Sequence, residues 1–285
     1  MKLVIIIFTA FFKLNIAQAE IRLGVIPGGH PENLRLQARE LATLLQEKLN
    51  EPVTIVVSKD YGSLRVAFIA KKVDFAFFSP QVWVQTDNEI KTKVLLKKVW
   101  KEPFYYSALI SKERSQIRKL SDIKSVTKFV FVDRNSTSGY LYPQAMLSRL
   151  KKNPQEKNLI FAGSHAKAIE LLESDKAEVA AVFSDDSKGN SGAWTQFSKN
   201  STGYRVLWIS EPIPTDPFCV RDEFYEKNPK MVHRLMYALI EIMETKEGQN
   251  KFNEILGSAQ LVPATNSHYQ SVKQVLADSE LATSK

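Results

Sequence analysis

From residue 21 onward, short apolar runs alternate with stretches whose apolar residues fall at helical spacing, and no other property of the chain limits its fold as tightly. Ile21 to Pro27 reads as a strand that runs into the turn Gly28-Gly29-His30. Pro31 then opens a helix with Leu34, Ala38, Leu41, Ala42, Leu45 and Leu49 on one face. Val53 to Val57 is a short buried strand, and the turn Ser58 to Gly62 leads into an amphipathic helix from Ser63 to Lys71. The strand Val73 to Phe78 follows and is broken at Ser79-Pro80. Strands and helices alternating at this interval predict an α/β fold with a mainly parallel sheet covered by helices. Ligands collect at the carboxyl ends of such strands, which makes Tyr61 and Ser79 candidates.

Val94 to Trp100 and Tyr105 to Ile110 are also strand-like, and a second αβ region begins at Phe129-Val130-Phe131-Val132. That run breaks into Asp133-Arg134-Asn135-Ser136-Thr137-Ser138-Gly139 and then into a helical stretch reaching about Leu150. A strand giving way to small hydroxyl residues at a helix start leaves several N–H groups open, which is an anion cradle. The same residue types cap helices with no ligand present, so the stretch alone does not decide between the two. Pro143 disfavours α geometry at Tyr142. Either a short helical piece ends in a bend there, or the main helix begins near Pro143.

Further on come the strand Leu159 to Phe161, the turn Ala162 to His165 and a helix with Ala168, Ile169, Leu171 and Leu172 on its apolar side. The strand Glu178 to Phe183 ends in Ser184-Asp185-Asp186. After the strand-like Arg205 to Ile209, prolines 212, 214 and 217 impose a rigid turn. Helices are expected at about Asp222 to Thr245, Gly248 to Leu256 and His268 to Ala282. Strand ends thus present Tyr61, Ser79, Tyr105, Ser136 to Ser138, His165, Asp185 and Asp216.

The first nineteen residues narrow the compartment. Met1-Lys2, the apolar run Leu3 to Phe12 and the triplet Ala17-Gln18-Ala19 fit a secretory signal peptide cleaved before Glu20. The run falls well short of the ~20 residues a spanning helix needs. Cys219 is the only cysteine, so no intramolecular disulfide is available and no thiol stands where a lipid anchor would attach. The formal charge of +8, less Lys2 and Lys13, leaves +6, with lysines scattered and no run of like charges. Export and scattered charge argue against nucleic acid and point to the periplasm.

The run Asn-Ser-Thr-Ser-Gly-Tyr-Leu-Tyr-Pro at 135 to 143 resembles the signature of phosphonate-binding periplasmic proteins that serve ABC importers. Ser-Glu-Pro-Ile-Pro-Thr-Asp-Pro at 210 to 217, with Arg221 behind it, is similar to a second motif of that family. Asp60-Tyr61, Val73-Asp74-Phe75-Ala76 and Gly163-Ser164-His165 follow in the family's order. The resemblance covers about residues 21 to 260. It implies a type II periplasmic-binding-protein fold, with two αβ lobes around a ligand cleft joined by hinge strands. Lobe 1 would comprise 20–106 and 209–285, and lobe 2 would comprise 107–208, after the signal peptide at 1–19.

The resemblance further implies that the anion sits on Ser136, Thr137 and Ser138 with Tyr61 and His165, and more loosely with Ser79. It gives the ammonium end or other substituent of the ligand to Tyr105, Asp185 and Asp216, with Asp186 as the alternative to Asp185. Two carboxylates near a phosphonate make sense when a cation lies between them, since a bare carboxylate repels the anion. No cofactor or metal is implied. The partners are a small anionic ligand and an inner-membrane ABC permease, and the protein is expected to be a monomer.

Two other roles fit the same chain. One is a sensory binding protein that docks on a membrane receptor. The other is a lyase-like enzyme on the same scaffold, with His165 and Asp185 or Asp216 as its groups. The chain shows no nucleophile and base at a recognisable spacing, and Ser-Thr-Ser-Gly lacks the G-x-S-x-G elbow of serine hydrolases. The non-enzymatic reading is therefore preferred.

Overall fold

The computed structural model describes residues 20–26, 31–257 and 260–283. The leader, its cleavage position and the turn at Gly28 to His30 fall outside them. Among the described residues twelve strands form two six-stranded sheets. They are β1 (Ile21–Val25), β2 (Val53–Val57), β3 (Phe75–Phe77), β4 (Thr92–Val99), β5 (Phe104–Lys112) and β6 (Phe129–Phe131), followed by β7 (Leu159–Phe161), β8 (Val179–Ser184), β9 (Tyr204–Ile209), β10 (Ile213–Pro214), β11 (Pro217–Arg221) and β12 (Gln260–Pro263). The first sheet has the order β12-β4-β11-β3-β1-β2. The second runs β10-β5-β8-β6-β7, and β9 also pairs with β5.

Each sheet is mixed, which corrects the expectation of a mainly parallel one. In the first, β1 pairs in parallel with β2 and β3, while β11 lies antiparallel between β3 and β4, and β12 closes the edge antiparallel to β4. The second repeats the plan: β6 is parallel to β7 and β8, and β5 is antiparallel to β8, β9 and β10. The parallel half of each sheet is the part built from strand-helix-strand units. The antiparallel half of each sheet is organised around the strand that arrives from the other sheet, β11 in the first and β5 in the second.

Alternating side chains divide the helices between the faces of each sheet. On β3, Phe75 and Phe77 join the core formed with α1 (Pro31–Leu49), α8 (Pro229–Glu244) and α9 (Lys246–Leu256). Ala76 and the adjoining Phe78 face the opposite core, where α2 (Tyr61–Ile69) brings Leu64 and Phe68 and α3 (Pro80–Glu89) brings Val82 and Trp83. The second sheet does the same. Ala180 and Val182 pack on Ala168, Ile169 and Leu172 of α5 (His165–Glu173), while Val179 and Ala181 pack with Leu147 of α4 (Tyr142–Arg149). The expected helix from 222 to 245 is two, α7 (Asp222–Lys227) and α8, because Pro229 forces Asn228 out of helical geometry. The remaining helices are α6 (Ala193–Phe197) and α10 (Gln270–Thr283). Among the described residues no helix is long and apolar enough to cross a membrane.

The chain passes between the sheets twice, from β4 to β5 and from β10 to β11, and the two connections lie side by side. Thr215, fully buried, donates its hydroxyl to the Lys98 carbonyl, and the Lys98 N–H donates to the Asp216 carbonyl at 3.2 Å. The Tyr269 hydroxyl, at the start of the C-terminal helix, donates to the Thr215 carbonyl at 2.8 Å. Below this crossing, Asp74 accepts from Arg22 Nη2 at 2.9 Å and from Arg221 Nη2 at 3.2 Å. Both Asp74 and Arg221 are buried, so the pair ties β11 to the β1 and β3 edge with its charges matched.

Candidate functional site

The stretch that follows β6 bends before it becomes regular helix. Thr137–Leu141 forms a single π turn, and α4 begins at Tyr142 with Pro143 in its first turn. Both readings of Pro143 therefore hold in part. Proline has no N–H to give Gly139, and the carbonyls concerned are satisfied from outside: Gly139 O accepts Val132 N–H at 3.1 Å and Ser138 O accepts the Ser107 hydroxyl at 2.6 Å. Ser136 caps the turn by accepting the Gly139 N–H at 3.1 Å. The Thr137 and Ser138 N–H groups at this start have no partner one turn earlier, as at any helix N-terminus.

Glycine at 139 is required by packing. A Cβ there would stand 2.5 Å from Val132 Cγ2 and 2.6 Å from Val132 Cβ.

Beside this turn opens a cavity of about 510 Å³ between the two sheets. Ser136, Thr137 and Ser138 line one side, with His165 from α5 and Asp185 from the end of β8. Tyr61, Ser79, Tyr105 and Asp216 line it from the first sheet's loops and the crossing. All nine residues singled out from the sequence thus surround one space. Asp186 is not in the lining, because its carboxylate accepts the N–H groups of Lys188 at 2.8 Å and Ser191 at 3.2 Å and is spent on its own loop.

Their states differ. Burial pushes the Tyr61 phenol far above its ordinary pKa, the negative charge of Asp216 adds to this, and a hydrogen bond with Ser136 opposes it. Tyr105 is raised in the same way by burial, Asp216 and Tyr61, against hydrogen bonds with Ser138 and Thr137. Both phenols remain protonated donors beside the hydroxyls of the turn. His165 is pushed down to about 4 by burial, so its imidazole is neutral at pH 7. Its Nδ1 is buried without a protein partner, and the ring stands edge-on to Phe183 with centroids 4.9 Å apart.

Two predicted residues have partners that the sequence did not announce. The Ser79 hydroxyl caps α3 by accepting Val82 N–H at 3.3 Å and donates to the Asn135 carbonyl at 2.9 Å. Gln81 joins the same bridge, its N–H going to Thr137 Oγ1 at 2.9 Å and its side-chain amide to Arg134 O at 2.9 Å. Asp216 is held by Lys98, whose Nζ lies 2.9 Å from Oδ2 and also donates to the Leu256 carbonyl at 3.1 Å.

Lys98 was missed because it sits inside an apolar strand. The available signal was its parity: Leu96 and Lys98 share one face by the two-residue period, so the lysine follows a buried position and needs an anion, while the irregularity at Leu95 turns Val94 to the opposite core. Trp100, Phe104, Phe183 and Phe197 supply an aromatic wall that was also not foreseen.

The arrangement offers a bilobal cleft with neutral donors converging on a helix start, and no group of metal ligands occurs among the described residues. The chain belongs to the family of periplasmic substrate-binding proteins of phosphonate ABC transporters, whose model matches residues 23–269. A phosphate-import protein PhnD of Mycolicibacterium smegmatis is 26% identical over 279 residues, covering 90% of this chain and 84% of the relative.

Among solved structures, a binding protein component of an ABC phosphonate transporter from Pseudomonas aeruginosa superposes with a TM-score of 0.79 at 19% identity, covering 93% of this chain and 88% of that one. PhnD1 from Prochlorococcus marinus, solved with methylphosphonate, gives a TM-score of 0.73 at 17% identity, covering 90% of this chain and 96% of that one. The fold is the bilobal α/β fold of these binding proteins.

Proposed function

We propose that this protein captures a small phosphorus oxyanion, a phosphonate or a close relative of one, in the cavity beside Ser136 to Ser138 and delivers it to an ABC permease. The observation that carries this reading is the convergence of nine residues from seven separate places along the chain on that one space. A tetrahedral dianion needs many short donors. The Thr137 and Ser138 N–H groups, the hydroxyls of the turn, the phenols of Tyr61 and Tyr105 and neutral His165 supply them, and the helix start favours negative charge. The proteins named above import phosphate or bind phosphonates, and the chemistry of this cradle suits either head group.

In the same reading, lobe 1 is 20–106 and 209–285, and lobe 2 is 107–208. The lobes close on the ligand about the paired connections at Thr215, and the ligand favours the closed state through contacts made only there. Tyr105, Asp185 and Asp216 face the substituent, and an aminoalkylphosphonate would set its ammonium there. The mature chain starts at Glu20 and acts as a monomer in the periplasm without catalysis.

The experiment is a thermal-shift and calorimetry panel of methylphosphonate, 2-aminoethylphosphonate, phosphite, phosphate and taurine on the leaderless protein. A rise in melting temperature with at least one phosphorus oxyanion is expected. No shift with any of them at millimolar concentration defeats the proposal.

A further inference from the structure

We infer that Lys98 is a built-in ammonium which occupies the cation subsite at Asp216 and sets the specificity of the cavity, favouring phosphorus oxyanions without a cationic substituent over aminoalkylphosphonates. The inference rests on the proposed phosphonate site and names the ligand class within it.

Four observations carry it. Lys98 and Asp216 both line the cavity, and their charged atoms are 2.9 Å apart. The Lys98 side chain is only 7% exposed, against 27% for Asp216, so the cation is the more deeply held partner. A second acceptor, the Leu256 carbonyl at 3.1 Å, and the Phe77 ring at 5.8 Å fix the ammonium where it stands. The backbones are fixed as well, because the Lys98 N–H donates to the Asp216 carbonyl and the Thr215 hydroxyl to the Lys98 carbonyl.

A ligand ammonium aimed at Asp216 meets a carboxylate already neutralised. To use it, the ligand has to displace Lys98 and leave a buried ammonium with one carbonyl and a ring face, which is the costly way to break a buried pair. Otherwise the ammonium relies on the remaining carboxylates of the lining, Asp185 at the end of β8 with Glu102 and Glu254. For a ligand with a methyl or hydrogen substituent the balance reverses. The head group then faces one uncompensated carboxylate fewer, and the aromatic wall of Trp100, Phe104 and Phe183 covers the apolar end.

The test is calorimetry of the leaderless wild-type protein with methylphosphonate and 2-aminoethylphosphonate, followed by Lys98→Met and the double variant Lys98→Met/Asp216→Asn. Wild type is expected to bind methylphosphonate at least tenfold more tightly. Lys98→Met is expected to improve 2-aminoethylphosphonate at least tenfold relative to methylphosphonate, and Asp216→Asn in that background to erase the gain.

Wild type that binds 2-aminoethylphosphonate as tightly as methylphosphonate overturns the inference and leaves the phosphonate site standing. So does a folded Lys98→Met whose preference is unchanged. If folded wild type binds no phosphorus oxyanion at all, the phosphonate site itself fails and the inference falls with it. Should Lys98→Met not fold, the wild-type ratio alone decides.

Discussion

Replacing Gly139 with alanine should damage the cradle more than any single hydroxyl deletion. The new Cβ would lie 2.5 Å from Val132 Cγ2, 2.6 Å from Val132 Cβ and 2.8 Å from Ser136 Oγ. Carbon atoms rest ~3.5–4.0 Å apart, so something has to move by about 1 Å. Val132 is fully buried and its Cβ is anchored to the main chain, and the two backbones are tied by the Val132 N–H to Gly139 O bond. The turn at 136 to 138 is what can yield. Overpacking of this kind costs about 1–3 kcal/mol. At about 2–4 °C per kcal/mol for a chain approaching this size, melting should fall by roughly 2–12 °C.

A displaced turn also loses its aim. One hydrogen bond to a charged ligand is worth about 1.5–3 kcal/mol, which is roughly 10- to 150-fold in Kd. Scanning calorimetry gives the first quantity, and titration with methylphosphonate well below the variant's melting temperature gives the second. A Gly139→Ala protein with wild-type melting and wild-type affinity would refute the tight-turn reasoning.

Other perturbations separate the site from its scaffold. Because His165 has a folded pKa of about 4, below the ~6.5 of the unfolded chain, only the unfolded chain takes the proton between those values. Stability of the ligand-free protein should then fall as pH drops from about 6.5 to 4, by up to about 3 kcal/mol, and His165→Gln should flatten that part of the denaturation profile. Asp74→Asn strips the buried Arg221 of its close carboxylate and should cost about 3–5 kcal/mol in urea denaturation. Asp74 is not in the cavity lining, so the folded variant should keep its affinity, and a large loss there would implicate the β1, β3 and β11 platform directly in binding.

Much of the fold was legible because it is written locally. The alternation at β1, α1, β2 and α2 follows from apolar spacing, and the open turn after β6 follows from Ser136 to Gly139. Strand direction was not legible, since a strand-like run such as Val94 to Val99 has the same pattern whether its neighbour runs with it or against it. β11 was hidden behind Pro212, Pro214 and Pro217. It starts at Pro217 and pairs on both sides, which only the return of the chain from the second sheet makes possible.

At the site, residues at strand ends announced themselves by breaking an apolar pattern. Lys98 broke no end. Its role depends on Asp216, 118 residues away, and on the crossing that brings the two together.

The most direct test is where the ligand lies. A crystal structure of the leaderless protein with saturating methylphosphonate should show the phosphonate oxygens within hydrogen-bond reach of the Thr137 and Ser138 N–H groups, ringed by Tyr61, Tyr105 and His165, with the Lys98 and Asp216 pair intact. Methylphosphonate bound elsewhere, or a cavity left empty at a concentration that raises the melting temperature, would contradict the account.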